Sequence, residues 1–64
     1  MVENKVKERR TELGMTQEQL AQKSSVGRST ISEIESGEHI PSVEVALLLA
    51  AALGKTVDDL FWID

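Results

Sequence analysis

A chain of 64 residues has room for one domain and one small core, and at this length only about 60% of the surface of the unfolded chain is buried on folding. Cysteine is absent and His39 is the single histidine, which removes disulfides and thiolate metal sites and points to no metal or other cofactor. The net charge of −4 predicts weak non-specific attraction to polyanions. That charge is uneven, with six basic residues (Lys5, Lys7, Arg9, Arg10, Lys23, Arg28) against four acids in residues 1–32, and Lys55 alone against seven acids in residues 33–64. Binding follows the local field at a docking face more than the total.

The N-terminal stretch, MVENKVKERR, is charged and leads into no apolar run, so no secretory signal is expected. The longest apolar run, Val45 to Leu53, is nine residues, against roughly 20 for a membrane span. A cytoplasmic protein with no membrane contact is expected.

The predicted elements divide 1–64, read as a single domain, into five helices and no strand. The first helix is expected from about Glu3 to Leu13, with Val2, Val6 and Leu13 at helical spacing and Gly14 as a left-handed terminator. The second starts at Thr16, whose relation to Gln19 is that of a capping box, and ends near Ser24. Ser25-Val26-Gly27 form a tight connection. The third spans about Arg28 to Ser36, with Gly27 as N-cap and Gly37 as terminator. Ser42 caps a fourth helix that is apolar nearly all round from Val45 to Leu53, and which should therefore be central and buried. Gly54 closes it. Thr56 and Asp59 open a last short helix through Leu60 and Phe61.

Two short helices separated by about three residues, over Thr16 to Gly37, make a helix-turn-helix arrangement. In such a unit the second helix lies in the major groove of DNA with its early residues at base edges. Ile31 and Ile34 are the only large apolar residues of the third helix, so they point inward. The opposite face then carries Arg28, Ser29, Ser32, Glu33 and Ser36, with nothing bulky to block close approach to a groove.

The chain resembles the Cro/C1-type (XRE) helix-turn-helix domains of phage repressors and their bacterial relatives. The resemblance is carried by Val6-Lys7-Glu8-Arg9-Arg10, Leu13-Gly14-Met15-Thr16-Gln17-Glu18-Gln19-Leu20-Ala21, Val26-Gly27-Arg28-Ser29-Thr30-Ile31-Ser32, Ile34-Glu35-Ser36-Gly37, Pro41-Ser42 and Ala51-Ala52-Leu53-Gly54, followed by Asp59-Leu60-Phe61. It implies a compact all-α, five-helix, lambda-repressor-like fold that binds double-stranded DNA and regulates transcription. Position by position, it implies that Arg28, Ser29 and Glu33 read bases. Gln17 would contact a phosphate and buttress the recognition helix, and Ser32 and Ser36 would lie near the DNA backbone. It also implies an ion pair between Arg10 and Glu35 beneath the recognition helix.

Three departures stand out. Ser25 occupies a turn position usually held by glycine, where a left-handed conformation costs about 1 kcal/mol. Gly27 replaces the usual serine cap. The loop after the recognition helix has Glu38-His39-Ile40 where lysine and arginine are common, which leaves His39 as its candidate phosphate contact and weakens the case for tight binding by a monomer.

A homodimer on a two-fold operator would offset that loss. The C-terminal Phe61-Trp62-Ile63 is an expected dimer contact, since three large apolar residues at a terminus tend otherwise to fray into water. Two other readings of that end are a fold-back onto the core and continuation into a longer parent protein. The alternative functions are a protein-interaction module, such as an antitoxin-like partner, and the detached N-terminal domain of a ligand-responsive regulator. Nothing supports an enzyme: no nucleophile has a nearby base, and no glycine-rich phosphate loop or effector pocket is evident.

Overall fold

The computed structural model describes residues 1–64. Strand β1 (Val2–Asn4) is followed by helices α1 (Val6–Glu12), α2 (Gln17–Ser24), α3 (Arg28–Ser36), α4 (Val43–Leu53) and α5 (Val57–Leu60), and then by strand β2 (Phe61–Ile63). Helix boundaries follow the local chemistry. Thr16 and Gln19 form a reciprocal capping box on α2, and Thr56 and Asp59 do so on α5. The Ser42 hydroxyl accepts the backbone N–H of Val45 at the start of α4. Gly37 and Gly54 end α3 and α4 at positive φ, a conformation that costs glycine little.

The expectation of an all-helical chain needs correction at both ends. β1 and β2 pair antiparallel, with Val2 opposite Ile63, Glu3 opposite Trp62 and Asn4 opposite Phe61. The Lys5 amide donates to the Leu60 carbonyl and the Asp64 amide to the Met1 carbonyl, both at 2.9 Å, which extends the clasp beyond the strands. Helix α1 does not start at Glu3 because Asn4 intervenes. Its side-chain oxygen accepts the Val6 amide at 3.1 Å, and its side-chain nitrogen donates to the Ile34 carbonyl at 3.0 Å. Asn4, one residue before the Lys5 N-cap, thus satisfies the first amide of α1 and ties β1 to α3.

The core comprises Val6, Leu20, Ile31, Ile34, Leu49, Leu53 and Leu60, all sealed from solvent. α4 packs against α1, α2 and α5, while α3 packs against α1 and α2. Two further expectations are revised here. Leu13 caps α1 and lies exposed, because the residue one turn beyond Val6 on the inner face is Arg10. α4 is not buried all round: Ala46, Leu49, Ala50, Ala52 and Leu53 face inward, whereas Val43, Leu47 and Leu48 remain exposed. No helix is long and apolar enough to cross a membrane.

Candidate nucleic-acid interface

The turn between α2 and α3 fixes how α3 is presented. Ser25 adopts the left-handed conformation at φ 62°, with its amide bonded to the Ala21 carbonyl. The buried Ser24 hydroxyl donates to the Leu20 carbonyl at 2.7 Å and accepts the Val26 amide at 3.2 Å. Sequence reasoning passed over Ser24; its signal was a small hydroxyl residue in the last turn, just before the connection, where such side chains satisfy free backbone groups. Val26 is buried beneath the turn. Gly27 is the N-cap of α3 and supplies no side-chain hydrogen bond.

Ile31 and Ile34 anchor the inner face of α3 with no exposure at all. Arg28, Ser29, Ser32, Glu33 and Ser36 all lie exposed, so the five side chains assigned to the outer face share one solvent-facing surface. Arg28 and Glu33 form no intramolecular ion pair within 4 Å. Ser36 differs from its neighbours. Its hydroxyl lies 3.0 Å from the Glu33 carbonyl oxygen and 3.1 Å from the Glu38 carboxylate, so its single proton is shared within the protein. His39 is exposed in the loop that follows, with its amide directed to the Glu33 carbonyl.

Beneath α3, Arg10 meets Glu35 in a bidentate pair. The Arg10 Nε donates to one carboxylate oxygen at 2.8 Å and Nη2 to the other at 3.0 Å, while Nη1 donates to the Met15 carbonyl at 2.8 Å. The two side chains are only 11% and 5% exposed. The hydrogen bond to Glu35 holds the Arg10 guanidinium above its ordinary pKa; burial opposes this, and the attraction of the carboxylate charge adds to it. Gln17, in the first turn of α2, donates its side-chain amide to the same carboxylate at 3.1 Å. One carboxylate on α3 therefore gathers donors from α1 and α2, which locks the recognition unit onto the N-terminal helix.

At the C-terminal end, Phe61 packs against the core, Trp62 is 41% exposed and Ile63 is 78% exposed. The Lys5 ammonium lies 5.8 Å from the centre of the Trp62 ring, within cation–π range. The segment folds back as β2, one of the readings its sequence left open.

A helix-turn-helix family model matches residues 6–60. The chain belongs to the Cro/C1-type helix-turn-helix family. The matched span covers the five helices and leaves β1 and β2 outside it. Among relatives of this helix-turn-helix chain, the HTH-type transcriptional regulator YgzD of Bacillus subtilis is 38% identical over 98% of the chain and 96% of its own length. An HTH-type transcriptional regulator of Methanothermobacter thermautotrophicus is 43% identical over 92% and 87%. The crystal structure of the restriction-modification controller protein C.AhdI from Aeromonas hydrophila superposes with a TM-score of 0.82 at 34% identity, covering 86% of this chain and 83% of that one.

Proposed function

We propose that this chain, a DNA-binding transcriptional regulator of the Cro/C1-type family, acts in the cytoplasm as a homodimer on a two-fold operator, with α3 of each protomer in a major groove. The observation that carries this reading is the outer face of α3, which joins one arginine to short polar side chains while Ile31 and Ile34 anchor the helix from behind. Arg28, at the first turn, is assigned to a guanine edge, where bidentate contact discriminates by about 1–3 kcal/mol. Ser29 and Glu33 are assigned to neighbouring bases, with Glu33 accepting from a cytosine amino group. Gln17 and Ser32 are assigned to phosphates and His39 to a phosphate at the loop, whereas Ser36, its proton held by the Glu33 carbonyl and the Glu38 carboxylate, is assigned a place beside the DNA backbone without donating to it.

Dimerisation supplies what the monomer lacks. The loop after α3 presents Glu38 where a cation would bind phosphate, so a single protomer makes few electrostatic contacts. Two protomers on half-sites one DNA turn apart, about 34–36 Å, double them. The contact between protomers is assigned to the C-terminal end, which holds Phe61, Trp62 and Ile63.

Selection of bound sequences from a random duplex pool tests the reading. Enrichment of a palindrome with half-sites one turn apart is the expected result. No enriched sequence would reject it and favour the protein-interaction module on the same fold.

A further inference from the structure

Three side chains from other elements hydrogen-bond to α3, and each reaches one of two adjacent residues. Arg10 and Gln17 hold the Glu35 carboxylate. Asn4, on β1, donates its Nδ2 to the Ile34 main-chain carbonyl at 3.0 Å. That carbonyl belongs to the last turn of α3, where helical amide partners run out, and its other donor is the Gly37 amide at 3.1 Å. The ends of α3 have little else to hold them. The Gly27 N-cap offers no side-chain bond, the first turn has no acid and the last turn no base, so complementation of the helix dipole is also missing.

The two grips differ in what they fix. A carboxylate at the end of a rotatable side chain can stay held while the backbone behind it shifts; a bond to a main-chain carbonyl holds the helix itself. Asn4 is in turn immobilised. It pairs with Phe61 in the sheet, Phe61 packs against the core, and the Lys5 amide donates to the Leu60 carbonyl. Its Oδ1 accepts the Val6 amide at 3.1 Å, which leaves Nδ2 directed at Ile34. β1 and the end of α3 otherwise meet across a crevice of about 250 Å³.

We propose that Asn4 is a positioning residue for base reading, setting through the Ile34 carbonyl the pitch at which α3 enters the major groove. The proposal rests on the reading of α3 as the base-reading helix. It adds a determinant on a strand that precedes the family-matched span, residues 6–60. All three polar anchors act at Ile34 and Glu35, whereas Arg28 stands at the opposite end of α3. The separation from Ile34 to Arg28 is roughly 9 Å along the helix axis, so a tilt of about 5° moves the guanidinium by about 1 Å. Such a shift takes a contact out of hydrogen-bond range.

Asn4→Asp and Asn4→Ser test the proposal. Each keeps an oxygen for the Val6 amide, as residues at helix starts do, and each loses the donor to Ile34: aspartate turns an acceptor toward it and serine stops short of it. They differ in charge, which changes affinity for every duplex alike and cancels in a ratio. Circular dichroism confirms that each variant is folded, and the carbonyl carbon resonance of Ile34 reports the bond in solution. Fluorescence anisotropy then gives the ratio of affinities for the selected duplex and a scrambled one. Both variants should move the Ile34 resonance and lower the ratio about tenfold, the order of one misplaced bidentate base contact. The affinity of Asn4→Ser for the scrambled duplex should stay within about twofold of the intact chain's. An unchanged ratio in both variants confines Asn4 to holding the fold and overturns the proposal. So does an equal loss on both duplexes, or an Ile34 resonance that neither substitution moves. An intact chain that prefers no duplex removes base reading by α3 itself, and the role of Asn4 with it; an intact chain that discriminates, alongside variants that discriminate as well, removes only the role of Asn4.

Discussion

Replacing Glu35 by glutamine keeps the side chain's shape and removes its charge from a site only 5% exposed. The carboxylate there accepts from Arg10 Nε, Arg10 Nη2 and the Gln17 amide. A glutamine retains one oxygen, and its amino group faces donors where an acceptor is needed. Arg10, 11% exposed, keeps its bond to the Met15 carbonyl but loses its counter-charge. Breaking a well-buried pair from one side costs about 3–5 kcal/mol; the retained oxygen and the Met15 bond place the expected loss near 3. A 64-residue chain has a total stability of about 3–10 kcal/mol. With about 4–8 °C of melting temperature per kcal/mol in domains of this size, the loss corresponds to roughly 12–24 °C. Urea denaturation and thermal melting followed by far-ultraviolet circular dichroism measure it. Added salt should restore little, because buried pairs are weakly screened. The double variant Arg10→Met, Glu35→Leu should lose less than Glu35→Gln, since it strands no charge. A loss below about 1 kcal/mol for Glu35→Gln, the level of an exposed pair, would refute the assignment of a buried keystone beneath α3.

Ser25→Gly relieves a left-handed serine at φ 62° and should raise stability by up to about 1 kcal/mol, less the extra freedom glycine gives the unfolded chain; a destabilised variant in chemical denaturation would contradict this. Asp59 is held below its ordinary pKa by the Thr56 backbone and side-chain hydrogen bonds, so it stabilises the fold above the unfolded value of about 3.9 and loses that effect as pH falls through the folded value. The stability gap between the intact chain and Asp59→Asn should accordingly close in acid; a gap constant from pH 7 to pH 2 would show that Asp59 does not act through ionisation. Glu38→Lys turns the carboxylate beside Ser36 into a cation in the loop after α3. Affinity for specific and scrambled duplexes should then rise together, with a salt dependence steeper by about one phosphate contact; fluorescence anisotropy across a salt series that shows no change in slope would place the loop away from DNA.

The helix boundaries were legible because they are written in short-range chemistry. Thr16 with Gln19, Ser42, Gly37, Gly54 and Thr56 with Asp59 each satisfy or end a helix within a few residues. The inner face of α3 was legible for the same reason, since two isoleucines three apart leave one choice of orientation. What escaped depends on distant partners. Val2–Asn4 continues a plausible helical pattern until Phe61–Ile63, nearly sixty residues away, pairs with it, and both strands lie outside the span that matches the family. Arg10 was recognisable only through the resemblance, because an arginine on an inner helical face signals nothing until Glu35 is placed opposite. The exposed apolar edge of α4 was missed because nine consecutive apolar residues carry no periodicity to say which side is covered.

The role of Arg28 at the head of α3 tests the central claim most directly. Affinities of the intact chain and Arg28→Ala should be compared on the selected duplex, on that duplex with a guanine of each half-site replaced, and on a scrambled duplex. If Arg28 reads that guanine, the substitution costs about 1–3 kcal/mol per half-site on the selected duplex and little on the other two. An equal loss on all three duplexes would make Arg28 a phosphate contact and contradict base reading by α3.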